Sequence, residues 1–103
     1  MSFARAIAVV AAAALFPKIA AAGDAEYGRT LAENWCASCH IVSAGQRPTG
    51  AGAPPFTTIA QSTEFNAERL SYLLLDPHPK MAKLALSRRA IDDIAAYIKS
   101  LKK

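Results

Sequence analysis

AEYGRTLAENWCASCH, residues 25–40, decides how the rest of the chain is read. Gly28, Leu31, Ala32 and Trp35 fall at i, i+3, i+4 and i+7, which is one face of a helix. The helix runs into Cys36-Ala37-Ser38-Cys39-His40. Thiols at i and i+3 lie on the same side of one turn. They can add to the two vinyl groups on one edge of a haem, leaving the imidazole of the adjacent His40 within reach of the iron. Cys-x-x-Cys-His is the spacing of c-type haem attachment. A thioredoxin-like pair would open a helix after a strand, whereas this pair closes a helix and no strand precedes it. A zinc site needs about four ligands, and beyond Cys36, Cys39 and His40 the chain offers only His78 and carboxylates. A plain disulfide would not require His40.

Ahead of this stretch, the first 22 residues read as an address. Arg5 is followed by the apolar run Ala6–Phe16, then Pro17-Lys18 and the small residues before Gly23. This is the layout of a cleaved secretory signal, 1–22, that leaves 23–103 as one mature domain beginning at Gly23. The 11-residue run is too short for a bilayer span, which takes about 20 apolar residues. Export of this kind implies a bacterial cell and an oxidising compartment, the periplasm.

Composition agrees with that division. The 103 residues carry 12 Lys+Arg and 8 Asp+Glu, and 52% are hydrophobic. Residues 1–22 hold 18 hydrophobic residues and no acid, while residues 23–103 hold 36 of 81 and all eight acids. Fibrous, disordered and multi-span chains are excluded, as is an enzyme with separate cofactor and substrate domains. Without residues 1–22 the chain has 10 basic and 8 acidic side chains, a poor basis for binding nucleic acid. A domain of this size often needs a staple or a cofactor to complete its core.

The remaining elements are helical. Residues 43–55 hold three of the five glycines and three of the six prolines and read as a loop. Asn66 caps a helix whose Leu70, Leu73 and Leu74 share a face. Pro77 and Pro79 end it near Leu75. A short extended segment, Met81 to Leu86, leads to Ser87, the cap of a last helix with Ile91, Ile94, Ala95, Ile98 and Leu101 as its apolar stripe. Asp92 and Asp93 early and Lys99, Lys102 and Lys103 late match the helix dipole. The expected fold class is all-α.

Most of residues 24–102 resembles a small bacterial class I monohaem cytochrome c. The likeness rests on Gly28 and Leu31 ahead of Cys36-x-x-Cys39-His40, on Ala53-Pro54-Pro55-Phe56, on the late Met81 and on Ile94-Ala95-Ala96-Tyr97-Ile98-Lys99. It implies N- and C-terminal helices crossing near Gly28 and Tyr97 around one covalent haem c. It also implies iron held by His40 and Met81, with the Pro54 carbonyl accepting the other N–H of the His40 ring. His78 and an open position are the alternatives to Met81 as sixth ligand. With both axial positions filled, the chemistry is one-electron exchange, and the expected protein is a monomeric periplasmic electron carrier, not an enzyme. An open position would instead suit a gas sensor or peroxidase-like protein, and a chain without haem an exported thiol-redox or zinc module.

The expected haem wall comprises Trp35, Ile41, Phe56, Ile59, Leu70, Leu74 and Leu84. Two departures from the family pattern stand out. Ala32 replaces a frequent aromatic, so Trp35 is expected to supply part of the bulk, and Ala82 rather than proline follows Met81. Residues 80–103 carry seven basic and two acidic side chains, including Lys80 and Lys83 beside Met81. Such a surface suits docking to an acidic patch on a redox protein such as an oxidase, reductase or dehydrogenase, and equally suits a solvated helix with basic residues near its C-terminus.

Overall fold

The computed structural model describes residues 23–75 and 86–103. They form four helices: α1 (Ala25–Trp35), α2 (Phe56–Gln61), α3 (Ala67–Leu75) and α4 (Arg88–Ser100). The described residues contain no strand, as the periodicity leads one to expect. Among them no helix is long and apolar enough to cross a membrane. The extended segment expected from Met81 to Leu86 lies, except for Leu86, outside the described residues.

Helix starts follow local chemistry. The Asp24 carboxylate accepts the Tyr27 N–H at 3.1 Å and caps α1. Asn66 accepts the Arg69 N–H at 2.7 Å, and the Ser87 hydroxyl accepts the Ala90 N–H at 3.1 Å at the start of α4. Each side-chain oxygen satisfies a backbone donor that the helix itself leaves unpaired.

Helices α1 and α4 cross face to face, and Gly28 lets them. A Cβ built on Gly28 would lie 1.9 Å from the carbonyl oxygen of Asp93. Only a residue without a side chain permits the two backbones to approach so closely. Ala32, Ile94 and Ile98 are buried beside the crossing. Tyr97 packs there as well, and its hydroxyl donates to the Val42 carbonyl at 2.5 Å. Burial pushes the Tyr97 phenol above its ordinary pKa, so the group stays a donor. The last helix is thereby tied to the loop after the Cys-x-x-Cys-His run.

One sequence expectation needs correction, and one helix has no counterpart in the sequence reading. Trp35 is 54% exposed, so it does not supply the bulk that Ala32 lacks. Its angular position on α1 is right, but it stands seven residues beyond Gly28, about 10 Å along the axis from the close approach. Helix α2 also interrupts a region with no helical signal. Thr57, Thr58 and Ile59 are weak helix formers, and the six-residue helix is held by burial of Phe56 and Ala60.

Candidate functional site

The Cys-x-x-Cys-His run forms a tight turn that continues α1. Cys36 is the C-cap, its N–H bonded to the Ala32 carbonyl. The Cys36 carbonyl in turn accepts the N–H groups of Cys39 at 3.2 Å and His40 at 2.9 Å. Both thiols are free. Burial, with Cys39 adding to it, pushes the Cys36 thiol up to about 11. A dithiol redox centre needs the opposite, a thiol whose pKa is lowered so that thiolate is present. Among the described residues no three His, Cys, Asp or Glu side chains converge as a metal cage would require. Neither the thiol-redox nor the zinc reading gains support.

His40 is buried, with 8% of its surface exposed. Its Nδ1 lies 2.7 Å from the Pro54 carbonyl oxygen. A carbonyl can only accept, so Nδ1 carries the proton and Nε2 keeps its lone pair free. This bond fixes both the tautomer and the plane of the ring, and a partner of this kind makes imidazole a better metal ligand. Gly52, two residues ahead of Pro54, takes φ +72°, a left-handed conformation that glycine adopts without strain. It helps turn the loop so that the Pro54 carbonyl faces the ring. The Phe56 ring then stands 5.4 Å from that of His40.

A cavity of about 190 Å³ opens beside these residues, lined by Cys36, His40 and Pro54 together with carbon-rich side chains. Of the residues expected in the wall, Phe56, Ile59, Leu70 and Leu74 line it. Phe65, Leu73, Leu86, Ile94 and Ile98 join them. Trp35 and Ile41 do not, and Ile41 instead offers its carbonyl to the Phe56 N–H at 2.9 Å. Val42, next in the chain, is the buried residue there. Met81, His78, Leu84, Lys80 and Lys83 lie outside the described residues.

Sequence reasoning missed Gln46. Its Oε1 accepts the Val42 N–H at 2.9 Å, while its Nε2 donates to the carbonyls of Ala37 at 3.0 Å and His40 at 2.7 Å. Thr49 adds a bond to the Cys39 carbonyl at 3.0 Å. The loop after the motif thus satisfies the motif's own carbonyls. Nothing local marks such a residue in the sequence, because a glutamine in a loop is ordinarily solvated. Gln46→Ala should destabilise the haem-loaded protein by about 2 kcal/mol, three hydrogen bonds at about 0.5–1.5 each less repair by water. Gln46→Glu keeps the acceptor but loses both donors, and denaturant unfolding should place it near the alanine variant. Unchanged midpoints in both would show that the bonds hold nothing.

The donor set fits a haem c. Cys36 and the buried His40 imidazole, with one free lone pair, line an apolar slot, and Cys39 shares the Cys36 turn. Comparison with known proteins points the same way. Residues 25–102 match the cytochrome c family. The chain is 48% identical over 98 residues to cytochrome c-552 of Bradyrhizobium diazoefficiens, a match covering 95% of this chain and 94% of that protein. No solved structure matches it.

Proposed function

This chain belongs to the cytochrome c family, with covalently attached haem c as cofactor and haem-based electron transfer as its work, and we propose that it is a periplasmic single-electron carrier with His40 and Met81 as axial ligands. When bound, the haem iron supplies the one-electron exchange. The protein's residues hold, orient and shield it. Cys36 and Cys39 tether the porphyrin edge by thioether bonds. His40 presents Nε2, with the Pro54 carbonyl keeping the ring from rotating. Phe56, Ile59, Leu70, Leu74, Ile94 and Ile98 exclude water, which disfavours the more highly charged ferric form and raises the potential.

Met81 is the one methionine in residues 23–103. It follows His40 by 41 residues, enough chain to return across the opposite haem face. A thioether beside an imidazole favours ferrous over ferric iron and leaves no open position for oxygen or a substrate, so the protein is a carrier and not an enzyme. A cleaved signal, residues 1–22, delivers it as a monomer to the periplasm. There its basic C-terminal quarter docks on acidic patches of redox proteins, a long-range attraction that speeds encounter.

The observation that carries this reading is the 2.7 Å bond from His40 to Pro54, which leaves a single ligating atom facing an apolar cavity. Absorption spectroscopy of the oxidised protein tests it. The weak long-wavelength band of iron–sulfur ligation is expected in the wild type and should vanish in Met81→Ala. That variant should also have a lower reduction potential and bind carbon monoxide rapidly when reduced. A wild type that lacks the band and binds carbon monoxide at once would overturn Met81 as ligand.

A further inference from the structure

The carboxylate of Asp93 has no part in the haem site. It is only 3% exposed, yet among the described residues it has no ion-pair partner. Its one assigned bond comes from the backbone N–H of Asp24, at 2.7 Å, where α1 begins. A buried carboxylate without a counter-charge costs several kcal/mol unless its surroundings supply positive charge. The dipole of α1 supplies part of it.

The rest is one residue away. Gly23 is half-buried and packs on the same stretch of α4, where an added Cβ would lie 2.1 Å from the Asp92 carbonyl oxygen. Consecutive backbone nitrogens are at most about 3.7 Å apart, so the Gly23 nitrogen lies within about 6.5 Å of the Asp93 carboxylate. Gly23 is also the residue that the signal layout places first after cleavage. Hydrolysis of the Ala22–Gly23 bond consumes one water and leaves a carboxylate on Ala22 and an ammonium on Gly23.

We propose that removal of residues 1–22 creates a structural ion pair, in which the new α-ammonium of Gly23 becomes the counter-ion of buried Asp93 and locks the α1–α4 crossing. The full-length chain has only a neutral amide at that point. Processing therefore completes the fold as well as releasing the protein. Glycine suits position 23 because the ammonium can reach Asp93 only if the chain lies flat on the Asp92 carbonyl. The inference rests on cleavage before Gly23 and is independent of which group ligates the iron.

The test uses haem-loaded protein exported from a cell that attaches haem c. Its intact mass should correspond to a chain beginning at Gly23 plus one haem. A different first residue overturns the proposal and leaves the electron-carrier reading untouched. A second form, with one serine inserted after Ala22, places the charge a residue further out. It should melt about 4–8 °C lower, the change that a partly buried ion pair makes in a domain of this size. Asp93→Asn keeps the acceptor for the Asp24 N–H but removes the charge, and in that background the extension should cost less than about 2 °C. Equal melting of the two wild-type forms, or the same loss in both backgrounds, overturns the ion pair. Should Asp93→Asn not fold, a crystal structure of the processed protein decides. The Gly23 nitrogen is expected within hydrogen-bonding or ion-pair distance of the Asp93 carboxylate, and a nitrogen turned out to solvent contradicts the proposal.

Discussion

A mature chain carrying Cys36→Ala and Cys39→Ala is expected to be colourless and largely unfolded at 37 °C, whereas the haem-loaded wild type melts cooperatively. The cavity of about 190 Å³ sets the scale. Unfilled cavity volume costs about 24 cal/mol per Å³, so about 4–5 kcal/mol is lost if nothing occupies it. Small domains have only about 5–15 kcal/mol of net stability, and one of about 80 residues sits near the lower end. Covalent haem thus acts as a large core side chain, and its loss removes most of the margin. Circular dichroism of the double variant should show a fraction of the wild-type helicity and no sharp transition. Full helicity with a cooperative melt would mean that the polypeptide packs its own core.

The second large effect comes from one glycine. Gly28→Val should lower stability by about 3–4 kcal/mol, more than most single substitutions. Any Cβ at this position meets the Asp93 carbonyl at 1.9 Å. That oxygen belongs to the backbone of α4 and has no rotamer by which to give way. Relief comes only by separating the helices, which uncovers Ala32, Ile94 and Ile98 and pulls Tyr97 from Val42. Gly28→Ala is expected to lose somewhat less. Thermal denaturation of both variants, each loaded with haem, measures the effect. Melting points within a few degrees of wild type would show that the crossing can widen at little cost.

Much of this was legible in the chain. The Cys-x-x-Cys-His spacing, the caps at Asn66 and Ser87, and the stripe of Ile91, Ile94, Ala95 and Ile98 are local signals, and the structure contains the corresponding helices. Gly28 was readable as a contact only through the family resemblance, which implies that the first and last helices cross there. What escaped is long-range. The bond from Tyr97 to Val42 spans 55 residues, and that from Asp24 to Asp93 spans 69, so no window of sequence holds both partners. Trp35 misled for a related reason. Periodicity gives the angle of a side chain around its helix but not how far along the axis the neighbouring helix continues. Helix α2 is the converse case, a short helix held by burial where its propensities argue against it.

Covalent haem attachment is decided by the intact mass and colour of the exported wild-type protein, purified under denaturing conditions from a cell with a working haem-attachment apparatus. One haem should remain bound to the unfolded chain, raising the mass by that of a single haem and keeping the red colour, because two thioether bonds survive denaturation where coordination by His40 does not. A colourless chain with the mass of the bare polypeptide would contradict the account at its root.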